Sequence, residues 1–344
     1  MIDNLSEEFY LQPFNYSFDE EGNIKIKNVN ILKTTRHNQF EIKNTVDVFK
    51  ESENSKSNSN LKKYLSLSDR LKRINTPLTH MSLVDCQKPI IMGVLNITKD
   101  SFYDGGRYFD LKNALTRAEN MIKEGADIID VGGESTRPGA SAVDVQEEIK
   151  RIKPVIKELS KNNILISCDT RNSLTMQVAL DLGTKIINDV SSLNYDKNTL
   201  NLLKNYDCMY VLTHSKETPQ TMQNNPIYNN VVCDIYNFFK KKLNILKRMN
   251  ISKERIILDP GIGFAKTLEH NYDILKNLGI FLDLGHYLMI GVSRKSLIKR
   301  LTKTDTLTPS VVLAVDAYAK GAKILRVHDV QETKEAINIF KRAN

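Results

Sequence analysis

The residue types that could do chemistry in this chain share one position: each follows, or closes, a short apolar, β-branched run. Asn96 follows "PIIMGVL", "GGESTRPG" follows "DIIDV", Asp169 follows "ILISC", and Asn188 sits in "KIIND". His214 follows "CMYVLT", Asp259 closes "RIILD", Arg294 and Lys295 come after "YLMIGV", and Arg326 and His328 stand in "KILRVHD". Asp169, Asn188 and Asp259 are acceptors suited to a flat, N–H-rich heterocycle, because a carboxylate takes two parallel donors. The same carboxylates would stabilise positive charge developing on such a ring. Lys295, Arg326 and His328 are cationic and suit a phosphate. Thr136 and Arg137 lie on a turn that Pro138 and Gly139 make tight. Asn96 and the acids of the loop behind it, Asp100 and Asp104, offer hard oxygen ligands for Mg2+ bridging a diphosphate.

Taken singly, each residue has an ordinary structural use. Asp169 and Asp259 suit helix caps, Asn188 a turn, and Lys295 the first turn of a helix. The recurrence is what suggests a site. The six histidines are isolated, with no HxH or HExxH, so a histidine-bound transition metal is not expected. No Ser–His–Asp or Cys–His pairing appears among the motifs, which argues against a covalent nucleophile.

Such a set needs elements that aim it at one point. From residue 89 to 344 eight apolar runs alternate with helical patterns, for example Val231, Val232, Ile235, Phe238, Phe239 and Leu246 on one helix face. Eight such units over about 250 residues predict an α/β fold, a TIM (β/α)8 barrel, in which the strand ends converge on one mouth. A doubly wound open sheet is the alternative, but it normally has fewer units.

The first 88 residues differ. Residues 1–50 form a small, β-rich N-terminal extension with stretches such as "GNIKIKNVNIL", which predict two or three strands. Residues 51–88 comprise a polar linker, "ESENSKSNSN", and a short helix across 61–74. This segment carries no recognisable chemistry, and a chain starting near residue 75 is expected to stay folded. The net charge of +8 is spread out, and its densest cluster, 238–250, has helical spacing, so no nucleic-acid partner is expected. No apolar stretch approaches the ~20 residues of a membrane span, and the acidic N-terminus is no secretory signal. Cys86, Cys168, Cys208 and Cys233 lack metal spacing and fit reduced thiols in a cytoplasmic protein, with Cys168 in a buried strand.

The motifs "GVLNITKDSFYDGG", "GADIIDVGGESTRPGA", "ISCDT", "INDV", "DPGIGFAK", "GVSRKS" and "RVHDV" resemble, in order and spacing, the dihydropteroate synthases. The resemblance spans roughly residues 89 to 342. It implies a transferase of folate biosynthesis, a sulfonamide target, that condenses 6-hydroxymethyl-7,8-dihydropterin diphosphate with 4-aminobenzoate. The products would be 7,8-dihydropteroate and diphosphate. By the same resemblance Asn96 contacts Mg2+ and the diphosphate, and Asp169, Asn188, Asp259 and Lys295 bind the pterin. Thr136 and Arg137 lie on a mobile second loop at the diphosphate and the aminobenzoate. Phe264 and Ser296 line the aminobenzoate pocket, Arg326 and His328 bind the leaving diphosphate, and a homodimer is expected.

Three departures stand out. Lys99 replaces a usual proline. Thr213 and Ser215 flank His214 where methionines are usual, so the ring would meet a smaller, more polar residue. Lys216 and Glu217 replace Gln-Gly. Two other readings share the barrel: a corrinoid-dependent methyltransferase and a non-catalytic pterin binder. The anion-binding motifs argue against the first, and retention of both loops against the second.

Overall fold

A computed structural model describes residues 9–18, 24–34, 40–47, 70, 88–97, 107–135, 142–216, 226–300, 302 and 305–343. Eight parallel strands close into a barrel: β4 (Ile90–Asn96), β5 (Ile128–Gly132), β6 (Ile166–Asp169), β7 (Ile186–Asp189), β8 (Met209–Thr213), β9 (Ile256–Asp259), β10 (Tyr287–Ile290) and β11 (Ile324–Val327). Each strand is followed by helix: α1 (Arg107–Lys123), α2 (Val145–Lys161), α3 (Ser173–Asp181), α4 (Thr199–Asn205), α5 (Val231–Arg248), α6 (Leu268–Lys276), the pair α7 (Ser296–Lys299) and α8 (Leu307–Ala319), and α9 (Val330–Ala343). The expected TIM barrel is therefore present, with β11 pairing back onto β4 to close it. No described helix is long and apolar enough to cross a membrane.

The two-residue period of a strand sorts the side chains into two cores. Ile129, Val131, Cys168, Ile187, Leu212 and Leu258 point outward and pack with the helices. Ile90, Met92, Ile128, Ile186, Met209, Val211, Ile257, Met289 and Ile324 fill the lumen. Two residues further along the same inward face, the side chains turn polar: Asp130, Asn188, Thr213, Asp259 and Arg326. The barrel thus has an apolar plug and a polar mouth at the C-terminal ends of its strands, the end where such barrels carry their sites. Local sequence fixes the helices that carry the strands there. Asp144 caps α2 by accepting from Gln146 N at 2.9 Å, and Asn230 caps α5 by accepting from Val232 N and Cys233 N.

The N-terminal segment forms an antiparallel sheet, β1 (Phe9–Phe18), β2 (Ile24–Thr34) and β3 (Phe40–Asp47), in that order. It does not stand apart from the barrel. Tyr10 and Leu32 belong to the barrel's outer core, and the Tyr10 ring meets Tyr236 of α5 edge-on at 5.2 Å. Gln12 Nε2 donates to Asn277 Oδ1 at 2.9 Å. Arg70, in a helical conformation, donates from Nε to both oxygens of Asp283 at 2.9 and 3.0 Å and from Nη2 to Phe9 O at 2.9 Å. Asp283 is buried and also accepts from Tyr236 Oη at 2.7 Å. The sheet and the barrel therefore share core residues. The linker expected at 51–60, and the helix expected at 61–74 apart from Arg70, lie outside the described residues.

Candidate active site

Strand register brings the predicted residues together. Asn96 pairs with Gly132, Gly132 with Asp169, and Asp169 with Asn188, so three of the expected residues lie side by side around the rim. A Cβ at Gly132 would make ordinary contacts, 3.4 Å from Asp169 Cβ and 3.6 Å from Asn96 Oδ1. Thr213 and Asp259 pair on the far side.

One charged chain crosses the mouth. Arg326 donates from Nη2 to Asp169 Oδ2 at 2.6 Å and from Nε to Asp130 Oδ2 at 2.7 Å. Asn188 Nδ2 donates to the same Asp130 oxygen at 3.1 Å. Both carboxylates are buried, and Asp130 is fully so. Burial raises the Asp169 carboxyl to about 7; Arg326 opposes the shift and Asp130 reinforces it. Asp130 Oδ1, Asp169 Oδ1, Asn188 Oδ1 and Thr213 Oγ1 are buried without a hydrogen-bond partner among the described residues. Native proteins seldom leave such groups unpaired, and their clustering marks a place for a polar ligand.

The opposite wall is the loop after β9. Asp259 Oδ1 accepts from Gly261 N at 2.7 Å, which fixes the carboxylate at the strand end. Gly261 has φ 67°, and a Cβ there would lie 2.1 Å from His214 O, so only glycine fits. Lys266, buried in spite of its charge, sits 2.8 Å from both Gly261 O and Phe264 O and 3.0 Å from His214 Nδ1. It staples the loop into shape. Burial pushes Lys266 well below the ordinary lysine range, and burial with Lys266 nearby pushes His214 down, so His214 is neutral. Lys295 donates to Ile262 O, and its Nζ lies 4.7 Å from the Phe264 ring centroid. Burial lowers Lys295 to about 8, with Asp259 partly restoring it. Phe264 is buried with Val190 and Ala265, and Ser296 opens α7 with its side chain exposed.

The last two strand ends are braced together. His328 Nδ1 lies 3.1 Å from Ser293 Oγ, and its carbonyl accepts from Arg117 Nη2 at 2.8 Å. Arg294 is paired with Asp329, as Arg326 is with Asp130 and Asp169. Thr136 and Arg137 lie outside the described residues. The base of their loop is nonetheless fixed: Glu134 and Arg171 form a buried ion pair at 2.9 Å, and Glu134 Oε1 accepts from Val143 N at 3.1 Å.

Sequence reasoning missed Asp130, Lys266, Ser293 and the Glu134–Arg171 pair. Asp130 was discoverable, since an acid two residues after an inward Ile128 must face the lumen. Lys266 was hidden by its type, because a loop lysine is ordinarily exposed.

Comparison with known proteins shows the family to which the chain belongs. Residues 92–328 match the family described as pterin binding enzyme. The dihydropteroate synthase of Haemophilus influenzae is 40% identical over 262 residues, covering 75% of this chain and 95% of that protein. That of Neisseria meningitidis serogroup C is 44% identical over 266 residues, covering 75% and 94%. Among solved structures, Yersinia pestis dihydropteroate synthase with a sulfonamide drug complex is 38% identical with a TM-score of 0.71, over 76% of this chain and 96% of that one. Xanthomonas albilineans dihydropteroate synthase with 4-aminobenzoic acid is 34% identical with a TM-score of 0.70, over 76% and 94%.

Proposed function

Because the chain belongs to the pterin binding enzymes, and among them to the dihydropteroate synthases, we propose that the mouth carboxylates hold a reduced pterin while its diphosphate leaves. The enzyme is a transferase that condenses 6-hydroxymethyl-7,8-dihydropterin diphosphate with 4-aminobenzoate in folate biosynthesis. Asp169, Asn188 and Asp259 take the N–H edge of the pyrimidine ring, with Lys295 beside them. The observation that carries this is the ring of buried, unpaired oxygens on Asp169, Asn188 and Asp130 around the lumen.

The chemistry follows from charge. Breaking the C–O bond to diphosphate leaves positive charge spread from the methylene into the ring, and fixed carboxylates stabilise it without reorganising. The aniline nitrogen then forms the C–N bond and loses a proton to water or the departing diphosphate. An aniline is uncharged near neutral pH, so no strong base is required. Arg326, His328 and, from the second loop, Thr136 and Arg137 receive the diphosphate. Phe264 and Ser296 flank the incoming aminobenzoate. Closed loops would exclude water from the reactive carbon.

Asn96 would hold Mg2+ through its amide oxygen. The described residues contain no cluster of three metal-ligating side chains, and one hard oxygen suits an ion that keeps its waters and takes substrate phosphate oxygens. Bound there, Mg2+ would neutralise diphosphate charge. A homodimer is supported by Val312 and Ile339, apolar and exposed on neighbouring α8 and α9. Cys168, Cys208 and Cys233, buried and not joined in disulfides, suit a reducing, cytoplasmic setting.

The test is an assay of the full chain with both substrates and Mg2+, following dihydropteroate and diphosphate together. Equal release of the two products, dependent on 4-aminobenzoate, is expected. Pterin binding without release would favour a non-catalytic binder, and methyl transfer to a corrinoid would favour the methyltransferase.

A further inference from the structure

Thr213 ends β8 and faces the lumen, two residues after Val211 and four after Met209, both of which fill the apolar plug. It is 1% exposed, and its hydroxyl is one of the buried groups with no partner among the described residues. Its carbonyl, by contrast, accepts from Ser192 Oγ, so the residue is held in place with only the hydroxyl unspent. In strand register it stands directly beside Asp259. Paired strands lie about 4.8 Å apart, roughly two ring atoms along the edge of a heterocycle.

That spacing can be matched to the ligand. If Asp259 takes the two donors of a pterin edge, the ring N3–H and the 2-amino group, the atoms flanking that pair are the 4-oxo oxygen and N1. Both are acceptors. Whichever way round the ring lies, the group next to Asp259 therefore meets an acceptor, and a hydroxyl can donate to it. We propose that Thr213 is a specificity-determining residue of this chain, its hydroxyl donating to the ring acceptor that flanks the donor pair held by Asp259. The proposal rests on Asp259 holding the ring edge.

The experiment compares wild type with Thr213→Val, Thr213→Ser and Asp259→Asn in the full chain. Binding of 6-hydroxymethylpterin is measured by equilibrium fluorescence, thermal unfolding without ligand, and KM for 4-aminobenzoate. Thr213→Val should weaken pterin binding about threefold to tenfold, the range of one neutral hydrogen bond. It should leave the ligand-free unfolding temperature unchanged or higher, since an unpaired buried hydroxyl has been removed, and leave the aminobenzoate KM unmoved. Thr213→Ser should keep wild-type affinity. A purely structural role would instead lower stability and affinity together in both Thr213 variants, and that outcome overturns the proposal. Thr213→Val binding like wild type while Asp259→Asn binds weakly overturns it alone. If both variants bind like wild type, the reading of the ring edge falls with it.

Discussion

Arg326 Nη2 lies 2.6 Å from Asp169 Oδ2, tying the eighth strand of the barrel to the third across its mouth. The guanidinium is thus the counter-charge of a buried acid. Its Nε holds Asp130 at the same time.

Arg326→Ala should therefore lose more than diphosphate affinity. The substitution leaves Asp130 and Asp169 buried without their cation. Removing one partner of a buried pair costs about 3–5 kcal/mol. The urea midpoint should fall accordingly, along with diphosphate binding. An unchanged midpoint would contradict a structural role for the pairing.

The pH profile should be narrow. Asp169, raised to about 7 by burial, is protonated below that pH and loses both an acceptor and a negative charge. Lys295, lowered to about 8 by burial, is neutral above it. The kcat/KM for the pterin substrate should then fall below about pH 7 and above about pH 8, the limbs belonging to the coupled set and not to single residues. Asp169→Asn should remove the acid limb and move the alkaline one to lower pH, since the Asp169 charge helps keep Lys295 protonated. A flat profile from about pH 6 to about pH 9 would contradict both assignments.

Much of this was legible in the sequence because a barrel is periodic. Each apolar run gave a strand, and the polar residue at or next to its end gave a rim position, so Asn96, Asp169, Asn188 and Asp259 could be named before any coordinates. Contacts between distant segments were not legible. Nothing in "DIIDV" says that Asp130 meets Arg326 nearly two hundred residues away, and nothing in "SDRLKR" says that Arg70 meets Asp283. Those pairings depend on closure and docking, which local pattern does not encode.

The docked N-terminal sheet changes what truncation should do. A chain starting at residue 75 loses Arg70, leaving buried Asp283 with the Tyr236 hydroxyl, and strips Tyr10 and Leu32 from the outer core. Thermal unfolding should shift several degrees downward, since a broken buried pair alone costs about 3–5 kcal/mol. Arg70→Met in the full chain should show part of the same shift. A truncated chain that unfolds at the wild-type temperature would make the sheet a passenger.

Asp259→Asn tests the central claim most directly. Asp259 is buried at the end of β9, its carboxylate fixed by Gly261 N. An amide there keeps one acceptor, presents a donor to a donor, and removes the charge that favours the pterin cation. A lost charged hydrogen bond costs roughly 1.5–3 kcal/mol, so pterin binding should weaken about tenfold to a hundredfold. The rate of the chemical step should fall further still, because the charge matters most as diphosphate departs. Measured by pterin binding and single-turnover kinetics on one preparation, the account predicts a loss of rate larger than the loss of affinity. Binding and turnover equal to wild type would place the pterin away from this mouth.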